Sequence, residues 1–410
     1  MIITNGKIIT WTQPNEILEG KSLLIQGQEI IKIDSKENLK SEYPNEEILD
    51  ANGQYIMPGL ICAHTHFDGA YSRGLAIPGS APEEFPQILE KLWWALDKSL
   101  DADSVTSSAW VCIIDAIKHG NTCLFDHHAS PNKIHNSLDL ISEVVEQSGI
   151  RASLCYEVTD RDGLDKAKAG ITENIRFINR INQGDNLNNR LAATFGLHAS
   201  LTLSDATLEL CRESIPEGFG FHIHAAEHLV DEYDSLAKSG KRVVDRLFDH
   251  GILGEKSIVA HAVHIDAKEI DILAKTKTWV AHQPRSNMNN AVGIGNMESM
   301  MRAGVKVCLG NDGFSNTMWD EWKTTYLVHK LVNLDPRRMG GYDVVEMGIY
   351  QNSALATQQF NVPVGTITPG SQADIIFVDY NPFTELTSGN LPWHILFGMH
   401  HSMVTMTMVA

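Results

Sequence analysis

A chain of 410 residues with 43% hydrophobic side chains can bury a large core, and its length suits a barrel of about 250 residues with an added unit. The formal net charge of −18 and the lack of basic clusters exclude a protein that tracks a phosphate backbone, so a small molecule is the expected partner and nucleic acid is not. No signal-peptide pattern opens the chain, no run approaches the roughly 18 apolar residues of a membrane span, and six scattered cysteines without CxxC spacing point to a cytoplasmic, reducing location.

Residues 1–55 read as β-hairpins. Ile2 to Thr10 alternates around Asn5-Gly6, and Ser22 to Ile33 alternates around Gly27-Gln28. From Leu60 onward the texture changes. Short apolar runs at Leu60–Ala63, Thr122–Phe125, Ala152–Tyr156, Ala192–Gly196, Phe219–Ile223, Ile258–Ala260, Thr278–Ala281 and Val305–Leu309 alternate with helical patterns, among them Glu83–Ser99, Asp103–His119, Leu164–Ile181 and Arg242–Asp249. Eight such repeats predict an α/β fold, a (β/α)8 TIM barrel over residues 56–360, rather than an open sheet. Two more helical patterns follow, Trp319–Asn333 and Asp343–Thr357. The β-like tail, residues 361–410, is expected to join residues 1–55 in one small β-sandwich, and its alternating end Val404–Ala410 has no closing turn, as if a longer native chain continued it.

The apolar runs finish at His64, His127, Glu157, His198, His224, His261, His282 and Asp312. In a TIM barrel the C-terminal strand ends open into one mouth, so these residues converge on a single site. His64-Thr65-His66 places two imidazoles on one side of a strand. By itself that motif is weak, because 18 histidines in 410 residues give roughly one HxH by chance. Its place at a strand end, with His224 ending the fifth run and Asp312 the eighth, makes a shell of three nitrogens and one carboxylate. Such a shell suits one divalent metal ion, Zn²⁺ first and Fe²⁺ second, with a position left for water. The glycines of Leu309-Gly310-Asn311-Asp312-Gly313 are expected to let that loop turn tightly.

The segments PGLICAHTH, FHIHAAE, VAHAVH and LGNDG, in that order, resemble the amidohydrolase superfamily, in particular its mononuclear branch of adenosine, guanine and S-adenosylhomocysteine deaminases and triazine hydrolases. AHTHFDGAYSRGL, FDHHAS and SNMNNAVG are similar to the SsnA group of aminohydrolases associated with selenium metabolism. The resemblance implies that His64, His66, His224 and Asp312 hold the metal and that Glu227, His261 and Asp312 are catalytic. It implies an aminohydrolase of class EC 3.5.4, acting on a purine-like or pyrimidine-like heterocycle. The metal acidifies a water that attacks an sp² carbon, Asp312 accepts a proton, Glu227 protonates the substrate nitrogen, and ammonia leaves. The fourth run ends Phe195-Gly196-Leu197-His198 without the bridging lysine of two-metal relatives, which favours one ion.

Four further residues are expected at the substrate: Arg73 from the loop after the first strand, His127, His198 and His282. Trp93-Trp94 and the pair Trp319 and Trp322 read as helix packing, and Phe397, Met399, His400 and His401 as part of the packed sandwich. Many relatives are dimers, so a second copy of the chain is the expected macromolecular partner. Two other readings share the sequence: opening of a cyclic amide or displacement of another leaving group such as chloride at the same site, and a catalytically silent scaffold. The scaffold is disfavoured by the presence of all four ligand residues together with Glu227 and His261.

Overall fold

In the computed structural model, which describes residues 1–410, Ile2–Thr4 and Lys7–Ile9 do not pair with each other across Asn5-Gly6; they enter two different sheets. Asn5 takes a left-handed conformation (φ 57°), and Gly6 lies against Ile56 with no room for a Cβ, so the expected hairpin turn is instead a corner between sheets. Ile2–Thr4 pairs antiparallel with Ser22–Gln26 and parallel with Ile48–Asp50. Lys7–Ile9 runs beside Tyr55–Pro58, which pairs antiparallel with Ile375–Val378 from the far end of the chain. The second hairpin forms as expected, with Gln26 opposite Glu29.

Ile3, Ile8, Leu23, Ile56, Ile375 and Phe377 are buried together between these sheets, so the two chain ends share one core. Val404–Met408 adds an outer strand on Ile375–Val378. Part of the tail departs from the β reading. Leu391–Gly398 is helical, with Phe397 exposed and Met399 buried. Pro392 at the start of that turn supplies a fixed φ suited to a helix N-terminus.

At Gly59 the chain passes into the barrel. Its strands are Leu60–Thr65, Asn121–Asp126, Arg151–Leu154, a fourth in two pieces (Leu191–Ala193 and Phe195–Ala199), Phe221–Ala225, Ile258–His261, Trp279–His282 and Lys306–Leu309. All neighbouring pairs are parallel. At the split in the fourth strand, the side chain of Asn174 stitches strand three to strand four: its Oδ1 accepts from the N–H groups of Tyr156 (2.9 Å) and Gly196 (3.2 Å). The circle closes between the eighth and first strands, where Asn311 and Asp312 both donate their backbone N–H to the His64 carbonyl (2.9 and 3.1 Å). No helix is long and apolar enough to cross a membrane, and all six cysteines are free and buried.

The helical patterns form close to their expected limits, including Ala102–Lys118, Leu164–Asn182 and Met318–Asn333. Leu229–Ser239 and Pro284–Asn289 are helices that the apolar period did not indicate. In the first, Asp231, Glu232 and Ser235 face inward while Leu229, Tyr233 and Leu236 are exposed, which inverts the usual pattern.

Candidate active site and metal centre

Strand ends one, five, six and eight bring His64, His66, His224, His261 and Asp312 to the mouth of the barrel. The ligand atoms of His64, His224, His261 and Asp312 all lie within 4.8 Å of one another, and those of His64, His66, His127 and His224 form an overlapping group. Asp312 Oδ1 is 3.1 Å from His66 Nε2 and 3.7 Å from His64 Nε2, and His224 Nε2 is 3.3 Å from His66 Nε2. Ligand bonds of about 2.0–2.2 Å leave tetrahedral donors roughly 3.3 Å apart, so these spacings fit a single Zn²⁺-sized cation. The buried Nε2 atoms of His64 and His261 have no hydrogen-bond partner, as nitrogens reserved for a cation or a bound substrate oxygen would require.

The imidazoles are aimed by a second layer. His64 Nδ1 is 2.9 Å from His222 Nε2, and His224 Nδ1 donates to the His198 carbonyl at 2.8 Å. With Nδ1 so engaged, Nε2 is the nitrogen turned to the centre. Burial drives His64 down to about 3 and His224 well below the ordinary histidine value, which keeps both neutral. Burial works against charge on His66 as well, but Asp312 outweighs it and raises that imidazole well above its usual value. Burial likewise opposes the Asp312 carboxylate, and the adjacent His64 and His66 imidazoles overcome it and hold the group well below the carboxylate range.

Two backbone features mark the site. His261 (φ 75°) and Asp312 (φ 57°) are left-handed without being glycine, a conformation that costs of order 1–3 kcal/mol and persists where surrounding structure enforces it. Gly310 and Gly313, expected to serve as turn residues, have a different role. Neither has a positive φ. A Cβ on Gly310 would sit 2.7 Å from His64 N and O, and one on Gly313 would sit 2.7 Å from the Trp93 ring. The glycines permit close approach, and Asp312 itself makes the turn.

Glu227 follows strand five. Its Oε2 lies 3.5 Å from His261 Nε2, and burial raises its carboxyl above the ordinary glutamate value. One short helix, Pro284–Asn289 with the residue after it, then touches all three acid–base candidates: Ser286 Oγ donates to Asp312 Oδ2 (2.5 Å), Asn287 Oδ1 meets His261 Nδ1 (2.9 Å) and Asn290 Nδ2 donates to Glu227 Oε1 (3.3 Å). Gln283 Oε1 accepts the His261 N–H at 3.2 Å. These orienting residues, and His222, carry no spacing signal of their own.

The cavity above the centre is walled by His198, Glu227 and His261 on the polar side and by Phe85, Trp93 and Trp94 on the other. Of the four expected substrate contacts, His198 lines it. His127 lies beneath, its two ring nitrogens facing Glu157 Oε1 (2.8 Å) and the His222 carbonyl (2.9 Å), which leaves neither free for a ligand. Arg73 turns away to Asp115 at 3.2 Å, because the helical turn Phe67–Ser72 carries it onto the helix Ala102–Lys118. His282 packs sideways on His329 (3.2 Å), outside the cavity wall. Trp93 and Trp94 pack, as expected, against the cluster of Phe85, Leu89 and Val292, and both also line the cavity; the segment Phe85–Ser99 includes a π-type turn at Leu89–Trp93. Trp319 and Trp322 are core residues, as expected.

Comparison with known proteins agrees with this architecture. The profile of the Amidohydrolase family matches residues 55–410. A 5-methylthioadenosine/S-adenosylhomocysteine deaminase of Thermococcus sibiricus is 31% identical over all of this chain and 92% of its own length. A 5'-deoxyadenosine deaminase of Methanopyrus kandleri is 30% identical over 92% of this chain and 85% of its own length. Among solved structures, an adenosine deaminase from Xanthomonas campestris with bound zinc superposes with a TM-score of 0.86 at 21% identity, covering 100% of this chain and 91% of that one. Guanine deaminase of E. coli superposes at 0.83 and 19% identity, covering 100% and 98%. These likenesses establish the TIM-barrel fold of this chain, and with the profile match and the full-length relative they place it: the chain belongs to the amidohydrolase family.

Proposed function

We propose that this protein is a metal-dependent aminohydrolase that deaminates a small heterocycle, an aminopurine or its nucleoside. The observation that carries the reading is the approach of the His64, His66 and His224 imidazoles to one another and to Asp312, 3.1–3.7 Å between donor atoms, beside the Glu227–His261 pair. Relatives whose names describe deamination of adenine nucleosides, at 30–31% identity over most of the chain, support it.

One divalent cation, Zn²⁺ first and Fe²⁺ as the alternative, fits the four ligands, and when bound it supplies acidification of a water and positive charge against a developing oxyanion. Within that setting the side chains have separate tasks. Asp312, kept ionised and fixed by Ser286, takes a proton from the attacking water. His261 Nε2, steadied from behind by Asn287, hydrogen-bonds the attacking oxygen. Glu227, whose hold on a proton is strengthened by burial, delivers it to the ring nitrogen next to the reacting carbon, and the proton taken up by Asp312 passes to the amino group so that it leaves as ammonia. His198, Trp93 and Trp94 hold the heterocycle, and Glu157, occupied by His127, stands outside the ligand set. Residence in a reducing cytoplasm is supported by the six free cysteines, membership of the SsnA group by the three segments quoted above, and self-association as a dimer is part of the same reading.

The test is ammonia release from a panel of aminopurines, aminopyrimidines and their nucleosides by the zinc-loaded protein. Stoichiometric ammonia supports deamination. Substrate consumption without ammonia, or with chloride released from a halogenated analogue, moves the assignment to the other hydrolytic chemistries of this site.

A further inference from the structure

The cavity wall holds one permanently charged cation, Arg161, on the loop after strand three. Its charge is already engaged. Nη2 meets Asp97 Oδ2 at 2.5 Å and Nε meets Asp162 Oδ2 at 3.4 Å, while the guanidinium lies over the Trp94 ring at 5.4 Å. Both Arg161 and Asp97 are almost fully buried, and Asp97 lines the same cavity. Lys98, the next residue, pairs with Asp162 at 2.9 Å on the outer side, so the two segments are clasped twice. The wall also carries Asp68, Glu157 and Asp231, the first two 3.9 and 3.7 Å from His66 Nδ1.

An arginine left open at such a position would recruit a carboxylate or phosphate bidentately. Here Asp97 holds Nη2 and Asp162 lies beside Nε, so a ligand anion would have to compete with two carboxylates in a low-dielectric space. We propose that the Asp97–Arg161 pair selects for substrates whose substituent distal to the reacting carbon is uncharged or cationic, and excludes anionic ones such as nucleotides. The proposal rests on the heterocycle reading above and deepens it to a substrate class: free bases and neutral or cationic nucleosides.

The experiment is calorimetric binding to the zinc-loaded Glu227→Gln protein, in which slowed turnover leaves binding heat visible, with 5'-deoxyadenosine, adenosine 5'-monophosphate and 5'-amino-5'-deoxyadenosine as probes. The neutral and cationic probes should bind more tightly than the monophosphate by about tenfold or more. Adding Asp97→Asn should free the Arg161 charge and tighten the monophosphate by about tenfold while moving the neutral probe little. Arg161→Gln is the second variant and should act oppositely, leaving Asp97 unpaired, weakening the monophosphate and tightening the amino probe. Equal binding of neutral and anionic probes by the parent protein, with deamination intact, would overturn the charge selection and leave the heterocycle reading standing. Failure of every probe to bind would overturn this proposal, with the heterocycle reading decided separately by ammonia release from the wider panel, and unchanged selectivity in both variants would show that the pair is not the determinant.

Discussion

Gly310 and His64 touch backbone to backbone: a Cβ added to the glycine would stand 2.7 Å from the His64 nitrogen and 2.7 Å from its carbonyl oxygen. This contact is where the eighth strand meets the first, and the residues on either side of it are His66 and Asp312, 3.1 Å apart. Barrel closure and the cation site therefore share the same stretch of backbone.

Gly310→Ala should force the two strands apart at that point. We expect a loss of about 1–3 kcal/mol in stability, the ordinary cost of overpacking a tight core, together with weakened zinc binding. Chelator competition and thermal unfolding, measured on the same variant, check it; zinc affinity equal to that of the parent would show that closure and ligation are separable.

A second prediction concerns the other end of the barrel. Arg151, at the start of strand three, grips Asp374 of the C-terminal segment with two hydrogen bonds (2.9 and 3.2 Å), and both side chains are fully buried. Removing one partner of a buried pair strands the other charge and typically costs about 3–5 kcal/mol. Asp374→Ala should therefore lower the denaturation midpoint strongly, while the metal content of the fraction that folds stays unchanged. A midpoint within error of the parent would mean that the pair contributes nothing net.

The arrangement of secondary structure was legible because eight apolar runs and the HxH, HAAE and NDG segments have fixed order and period. The convergence of His64, His66, His224, His261 and Asp312 was legible because strand ends are recognisable, but strand-end position alone did not show that His127 and His282 turn to other partners. What escaped has physical reasons. His222, Ser286, Asn287 and Asn290 act through hydrogen bonds whose geometry exists only after folding. The helix Leu229–Ser239 buries its acids and exposes its apolar side chains, so its period points the wrong way. Trp93 and Trp94 pack as their helical pattern indicates, but that pattern does not show that they also line the cavity. Arg73 was placed by sequence distance from the HxH motif, and the intervening helical turn sends it instead to Asp115.

The pH dependence follows from Glu227. Burial raises its carboxyl above the usual glutamate value, and its proposed role needs the proton. Activity should then be present below that raised pKa and fall as pH rises through it, giving kcat/KM a basic limb above the normal glutamate range. Asn290 donates to Glu227 Oε1 and favours the carboxylate, so Asn290→Ala should move this limb to still higher pH. A limb that stays in place, or shifts toward acid, would argue that Glu227 works as the base.

The most direct measurement is zinc content and ammonia release, determined on the same preparations of the parent protein and Glu227→Gln. The account predicts about one zinc per chain in both and a fall in turnover of about 10²-fold or more in the variant, the size of a lost general acid. Turnover that survives in Glu227→Gln with zinc fully bound would contradict it.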